Sequence, residues 1–489
     1  MKCSELAPLS ATGCAITGDD IDISGISQNS KTITANYLFA ALKGEKVDGR
    51  DFIESAVAAG ASAVLAQTGT SIPKNVTSIT HNEPRLALAK IAARFYRSQP
   101  KTIAAVTGTS GKTSTVQFAR QLWQMLGHKS ASLGTLGIIG DGIERYGSLT
   151  TPDSITLHQD LAMLAIDKRI SHLAMEASSH GLEQYRLDGV NVGFAAFTNL
   201  SRDHLDYHNT MEAYLNAKLR LFRDLLPAHG TAIINTDMAE YDAVFSAAKQ
   251  RGSKIISYGS KAHNNTNCDV RLEKRNFNAH GQDLELSVMG KKYSTHINLV
   301  GAFQAANVLC ALSLAIASGE NPAKAVACLP KLQPVRGRME WVGAFKGGAV
   351  YVDYAHKPDA LEQVLQALRP HTQNRLICVF GCGGNRDAGK RPIMGSIANK
   401  LADIVIVTDD NPRNEDAATI RKAVMEGAVG ATEIGNRAVA IAHALNNMQT
   451  GDVVVIAGKG HEQGQIIGTQ TLPFDDVAVA KNVMNGIAA

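Results

Sequence analysis

The chain has 489 residues, 45% hydrophobic and 19% charged, with a formal net charge of +4. That length exceeds one core and implies about three domains, while so mild a charge gives no reason to expect nucleic acid or an anionic membrane as partner. No apolar run reaches the ~18 residues of a membrane span. The N-terminus MKCSELAPLSATG has no apolar secretion core, and the seven cysteines lack C-x-x-C spacing, so reduced thiols in a cytoplasmic protein are expected.

In residues 1–98, YLFAAL predicts a strand, DFIESAVAAGA a helix and SAVLAQ another strand. The polar YRSQP at 96–100 marks a boundary. Strand and helix then alternate through residues 99–332: TIAAVTG, TSTVQFARQLWQML, HLAMEAS, VGFAAFTNL, GTAIINT and GAFQAANVLCALSLAIA. Such alternation predicts a mostly parallel sheet covered on both faces. KLQPVRGRME marks a second boundary, after which AVYVDYA, DALEQVLQAL, RLICVFG, ADIVIVT and DVVVIAG repeat the pattern over residues 333–489. The expected fold class is α/β, with three domains.

IAAVTGTSGKTSTV (103–116) joins a strand to an amphipathic helix through Gly108-Thr109-Ser110-Gly111-Lys112-Thr113. The usual phosphate loop, G-x-x-x-x-G-K-[ST], would need glycine at 106, which is Val106. Free amides and the helix dipole still favour phosphate at such a turn. Lys112 is placed to reach the β/γ-phosphates, and the Thr113 hydroxyl to bind Mg²⁺. A Gly-rich turn that binds nothing is the alternative.

A nucleotide site needs an acid for its metal. HLAMEASSH ends a strand on Glu176, at the edge where a parallel sheet gathers its sites; a capping carboxylate is the bland reading. SRDHLDYH sets Asp203, His204, Asp206 and His208 past the next strand, either as cation ligands or as a polar turn. In TMEAYLNAKLRLFRDLL, Lys218 lies along the stripe of Tyr214, Leu215, Leu221 and Phe222. It is either a snorkelling lysine or a buried one. A neutral buried amine can take up CO₂, and the resulting carbamate is a metal-binding carboxylate.

Together GTSGKT, EASSHGLEQ, TNLSRDHLDYH, AYLNAK, GRME and DYAHKPDAL resemble the Mur ligases, across nearly the whole chain and in the family's order. These are three-domain, ATP-dependent amide-forming enzymes of peptidoglycan synthesis, and the short loop is the family's own form. The resemblance implies a P-loop central domain and a Rossmann-like C-terminal domain. It implies ATP held by Gly108, Thr109, Ser110, Gly111, Lys112, Thr113 and Ser114, with Asn307, Asp353 and His356. Catalysis is assigned to Lys112, Glu176, His204 and Lys218. It further implies a pair of Mg²⁺ ions on Thr113, Glu176, His204 and a CO₂-derived carbamate on Lys218. Gln304 stands where the family usually carries asparagine, and Lys357 where relatives usually carry threonine.

The third domain discriminates between members. Its strands run into GCGGNRDAGKRP, TDDNPRNED and AGKGHE, which set Arg386, Asp410, Arg413 and Glu462 at one sheet edge. Arginine forks suit carboxylates, and acidic groups suit an ammonium, so an amino acid with more than one carboxylate fits. DNPR (Asp410, Asn411, Pro412, Arg413) is the signature of family members that add meso-diaminopimelate, with Arg386, Gly458 and Glu462 as partners. NSK (29–31) and GEKVDGR (44–50) resemble the UDP-binding segment, where D-S-R is more usual, so Ser30 is carried over. Thr150, Thr151, Ser178, Gln184 and Arg186 match the muramoyl-dipeptide positions. The expected partners are therefore small molecules, UDP-muramoyl-dipeptide, meso-diaminopimelate and ATP, acting on a monomer. The rivals are a lysine-adding member, a folylpolyglutamate synthase, against which the UDP-type segment and DNPR argue, and a non-catalytic sensor of cell-wall precursors.

Overall fold

A computed structural model describes residues 1–44, 47–147, 149–261, 268–278 and 281–487. Glu45 and Lys46 of GEKVDGR lie outside these residues. The chain divides into two compact units, residues 1–270 with 310–325, and residues 271–309 with 326–489.

The first unit begins with strands β1 (Ala15–Thr17), β2 (Gly25–Ser27), β3 (Tyr37–Ala40), β4 (Ala61–Gln67) and β5 (Thr77–His81), in the order β1-β5-β4-β3-β2. Only the β1–β5 pair is antiparallel. The helix Pro84–Tyr96 opens on proline, whose missing N–H costs nothing in a first turn, and buries Ala87, Leu88 and Ile91 against this sheet. Residues 97–100 then carry neither helix nor strand.

The second sheet is built on β6 (Thr102–Thr107), β7 (Ser130–Gly134), β8 (Gly137–Gly140), β9 (Ile143–Arg145), β10 (His172–Glu176), β11 (Phe194–Phe197), β12 (Thr231–Asn235) and β13 (Lys254–Gly259). Its order is β13-β12-β11-β6-β10-β7-β8-β9, parallel from β13 to β7 and antiparallel beyond. The central β6 is flanked on both sides, and its interior, residues 103–106, is an apolar run between two threonines, as expected of a strand buried on both faces. Register aligns the strand ends: Val106 lies opposite Glu176, and Thr107 opposite Phe197. The loops after β6, β10 and β11 therefore leave from one edge.

In the second unit, β14 (Val270–Asn278), β15 (Gly281–Val288) and β16 (Lys291–Ile297) are followed by β17 (Glu340–Phe345), β18 (Gly348–Asp353), β19 (Leu376–Phe380), β20 (Ile404–Val407), β21 (Thr432–Glu433) and β22 (Val453–Ala457). The last six form a sheet in the order β17-β18-β22-β19-β20-β21, parallel apart from β17–β18. β22 returns to lie between β18 and β19, so the loops after β19, β20 and β22 gather at the carboxyl edge, where ligands of open α/β sheets bind. A hairpin of β23 (Gly464–Ile467) and β24 (Gln470–Pro473) follows. Among the described residues, no helix is long and apolar enough to cross a membrane.

Candidate active site

The short loop after β6 is shaped by its glycines and by the end of β11. Gly108 sits at φ +141°, and a Cβ there would lie 1.9 Å from the Thr198 hydroxyl. That hydroxyl donates to the Ser110 carbonyl at 2.6 Å. The Asn199 side chain accepts from the Ser110 N–H (3.0 Å) and donates to the Ser110 carbonyl (3.1 Å), while Thr109 N–H donates to the Asn199 carbonyl. Gly111 at φ +83° turns the chain into the helix Lys112–Met125, whose first turn buries Thr113 and Ser114. The Lys112 amine curls back onto the carbonyls of Gly108 (2.8 Å) and Thr109 (2.9 Å). A helix N-terminus with a lysine over it is built for an anion.

Beside the loop, Glu176 ends β10 and is only 1% exposed. One carboxylate oxygen accepts from the Thr135 N–H at 2.8 Å and the other from the Thr135 hydroxyl at 3.2 Å. Gly134 makes room, since a Cβ there would lie 2.2 Å from Glu176 Oε1. A carboxylate gripped this way is oriented rather than capping a helix.

Lys218 lies on the helix Met211–Arg220, which widens into a π-helical turn at Leu221–Leu225, a feature frequent at functional sites. Lys218 is 1% exposed, so the snorkelling reading fails. Its amine donates to Gly108 O at 2.9 Å and stands 4.3 Å from the centre of the Tyr214 ring. Tyr214, itself buried, pairs its hydroxyl with that of Thr109 at 3.2 Å. His204 sits at φ 52°, with Asp203 accepting from its backbone N–H and lying 3.4 Å from its ring nitrogen. Its ring is 6.1 Å from that of Tyr214 and 4.8 Å from that of His180. His208 Nε2 is buried with no hydrogen-bond partner among the described residues, and burial, with His180 and Lys218 nearby, pushes this histidine down.

The positions expected to hold a muramoyl-dipeptide form one connected group. Thr151 Oγ1 donates to the Glu176 carbonyl and accepts from the Ser178 N–H. Arg186 donates to the Thr151 carbonyl (2.7 Å) and to Gln184 Oε1 (2.8 Å), and Gln184 donates to the Tyr207 hydroxyl. Thr150 pairs with Thr135. Arg220 fastens the segment to the lysine helix through Asp188 and stacks over Tyr185. Ser30 opens the tight turn Ser30–Thr32, and Asn29 accepts from the Lys31 N–H as the more usual aspartate could.

In the second unit, Asn307 is buried and donates to Gln304 Oε1 at 3.1 Å, so the departure at 304 leaves Asn307 oriented. Asp353 is buried and accepts from the Met339 and Ala355 N–H groups; burial raises its carboxyl, which Arg338 opposes. Burial pushes His356 down to about 3, with Lys357 and Lys390 adding to the effect. Lys357 caps the helix Pro358–Leu368 by its backbone alone, making no side-chain capping bond where a threonine could.

At the carboxyl edge of this sheet, Asn411 donates to Glu462 (2.8 Å) and accepts from Lys459 (3.0 Å), and Lys459 lies 3.1 Å from Glu462. Lys459 is 0% exposed. Burial raises the Asp410 carboxyl against the pull of Arg437 and Lys459. Gly458 is required beside it, for a Cβ would meet Asp410 Oδ2 at 2.7 Å. Arg413 donates to the Gly384 carbonyl at 2.9 Å, with Pro412 buried before it, while Arg386 is exposed on the loop after β19.

Residues 22–96 match the model described as Mur ligase family, catalytic domain; residues 106–315 match the Mur ligase middle domain, and 337–460 the Mur ligase glutamate ligase domain. A relative from Bradyrhizobium diazoefficiens, named UDP-N-acetylmuramoyl-L-alanyl-D-glutamate--2,6-diaminopimelate ligase, is 49% identical over 472 residues, 96% of each chain. The chain belongs to the Mur ligase family. Relatives of the same name from Caulobacter vibrioides and Agrobacterium fabrum are 49% and 50% identical, over 96% and 93% of this chain and 96% and 92% of theirs. A solved ligase of that name aligns at a TM-score of 0.73 and 34% identity over 99% of both chains. At 17% identity and a TM-score of 0.63, the ADP complex of MurF from Thermotoga maritima, covering 94% of this chain and 97% of that one, shares the fold.

Several residues of this Mur ligase's site escape sequence reasoning. Thr198 and Asn199 hold the phosphate loop, Gly134 and Thr135 hold Glu176, and Lys459 joins Asn411 to Glu462. A signal existed for three of them: T-N (Thr198, Asn199) directly after an apolar strand, and a lysine between glycines (Lys459) at a strand end, each mark the sheet edge where sites form.

Proposed function

We propose that this Mur ligase joins meso-2,6-diaminopimelate to the D-glutamate γ-carboxylate of UDP-N-acetylmuramoyl-L-alanyl-D-glutamate, using ATP and supplying peptidoglycan synthesis. One observation carries the choice of amino acid: Asn411, Lys459 and Glu462 are joined by hydrogen bonds at a sheet edge, with the buried Asp410 carboxyl under the influence of Lys459 and with Arg413 seated on the Gly384 and Asn411 carbonyls. Such a cluster suits a substrate bearing both ammonium and additional carboxylate groups. The proposed domains are residues 1–98 for the UDP substrate, 99–332 for ATP and 333–489 for the amino acid.

In this reading the γ-carboxylate attacks the γ-phosphorus of ATP, giving an acyl phosphate and ADP. The free amine of diaminopimelate then attacks the acyl carbon, and phosphate leaves. Lys112 and the loop amides of residues 108–114 hold the phosphates and offset their charge. Thr151, Ser178, Gln184 and Arg186, with Thr150 and Ser30, orient the muramoyl substrate, so the reacting carboxylate arrives positioned. Asn307, Asp353 and His356 serve the nucleotide; Arg386, Arg413, Gly458 and Glu462 serve the amino acid.

In this reading Thr113, Glu176, His204 and a carboxylated Lys218 would hold Mg²⁺, a role supported by the buried Glu176 carboxylate that Thr135 orients at the strand end. Among the described residues no three His, Cys, Asp or Glu side chains converge as a metal site. Glu176 and His204 thus need further oxygen donors, from Thr113, phosphate and a carboxylated Lys218. A bound Mg²⁺ would offset charge on the transferring phosphoryl group. Incubation with all three substrates tests the proposal: the UDP-muramoyl species gains the mass of one diaminopimelate less water. Absence of that product while ATP is hydrolysed would refute it.

A further inference from the structure

The β23–β24 hairpin has no place in the core. β24 is exposed along its whole length, and Ile467 and Leu472 point apolar side chains to solvent. A two-stranded hairpin is marginal on its own in water, so something else must order it. Its inner edge lies along the DNPR segment. Arg413 N–H donates to the Ile466 carbonyl at 3.0 Å, and Gly468 N–H donates to the Arg413 carbonyl at 2.7 Å. Ile466 N–H donates to Asn411 Oδ1 at 2.9 Å, and Gln465 donates to the Asp410 carbonyl at 2.7 Å.

These bonds fall on a backbone that needs them. Arg413 sits at φ 54°, a left-handed conformation that side-chain-bearing residues adopt only when the surroundings hold them there. Both backbone polar groups of Arg413 are taken by the hairpin. Its guanidinium is meanwhile seated on the Gly384 carbonyl, and a Cβ at Gly383 would lie 2.8 Å from Arg413 Nη1. Gly468, at φ +59°, supplies the turn that brings its own N–H to Arg413.

We propose that this hairpin is the specificity clamp of the amino-acid pocket. By fixing the left-handed backbone of Arg413, it presents the guanidinium fork to the second carboxylate of a diamino diacid, and so excludes an amino acid that lacks one. The inference rests on the reading of the pocket given above. Gln465, Ile466 and Gly468 are positioning residues, acting through Asp410, Asn411 and Arg413.

Gln465→Leu removes the bond to Asp410, and Gly468→Val strains the turn; both residues are half-buried on the hairpin, outside the hydrophobic cores. Each is expected to raise KM for diaminopimelate roughly tenfold, the worth of one or two lost hydrogen bonds. KM for ATP and for the UDP-muramoyl substrate should stay within about twofold, and the preference over lysine should shrink. Hydrogen exchange at the Arg413 amide, whose acceptor is Ile466, should quicken. Faster exchange with an unchanged amino-acid preference would overturn the clamp, as would a rise in all three KM values together. Wild-type enzyme that fails to use diaminopimelate would instead overturn the reading of the pocket itself.

Discussion

Lys112 and Lys218 donate to the same oxygen, the carbonyl of Gly108, at 2.8 and 2.9 Å. Two amines from different helices meet on one atom of the phosphate loop. Each has work elsewhere in the proposed reaction: Lys112 on phosphate, Lys218 as a carboxylated metal ligand. Their common partner places both beside the same loop.

The first prediction concerns Lys218. Lys218→Gln keeps a polar group but cannot be carboxylated. We expect kcat to fall by about 10²–10³, the usual cost of removing one electrostatic stabiliser, with KM for ATP changing far less. Wild-type protein in ¹³C-labelled bicarbonate should show a carbamate resonance that the variant lacks. A labelled signal of equal intensity in the variant would exclude Lys218 as the modified residue.

Gly134 tests how Glu176 is held. A methyl group there would lie 2.2 Å from Glu176 Oε1, so Gly134→Ala must displace the carboxylate. Activity should require more Mg²⁺, and kcat should fall by roughly 10²-fold. Glu176→Gln should show the same pattern. A normal Mg²⁺ dependence in both variants would remove Glu176 from the metal site.

Much of this is readable from sequence, for a physical reason. Many strands of the parallel sheets are short apolar runs such as IAAV and VVVI, because a polar side chain on a strand buried on both faces needs a partner, as Ser130 and Ser132 of β7 find in the Arg120 carbonyl and Gln117. Helical spacing puts Lys218 on the apolar stripe, but only the fold decides between a snorkelling and a buried amine, and it buries this one. Partners from distant segments are less legible. Tyr214 reads as one more residue of an apolar stripe, yet its hydroxyl meets Thr109, a contact only the fold creates. Gly134 looks like an ordinary strand end until Glu176 is packed on it. The β23–β24 hairpin escapes because GQIIGTQTLP, half polar and largely exposed, carries no clear core signal. DFIESAVAAGA is expected to be helical throughout, but its first residues lie in the 3₁₀ turn Gly49–Phe52 and the α-helix runs only Ile53–Ala58.

Arg413→Lys keeps the charge but loses the planar fork. We expect kcat/KM for diaminopimelate to fall roughly 10- to 100-fold, with ATP and UDP-muramoyl substrate KM values unchanged. Steady-state kinetics with each substrate varied in turn would check this. An unaltered value for diaminopimelate would contradict the role of the fork.

His356 gives a pH signature. Its folded value is about 3, against an ordinary 6.5. Between those values the unfolded chain binds a proton that the folded protein refuses, so this group makes stability rise with pH across that window. His356→Asn abolishes the titration. The variant should be destabilised most near pH 7, and the gap to wild type should narrow as pH falls toward about 4. Thermal melts of both proteins across that range would show it; a gap independent of pH would mean that His356 does not titrate as its burial requires.

The central claim is best tested by phosphate release from ATP with Mg²⁺ and UDP-N-acetylmuramoyl-L-alanyl-D-glutamate, comparing meso-diaminopimelate with L-lysine. The cluster around Asn411 and Arg413 predicts release that depends on diaminopimelate and is little stimulated by lysine. Equal or greater release with lysine would contradict it.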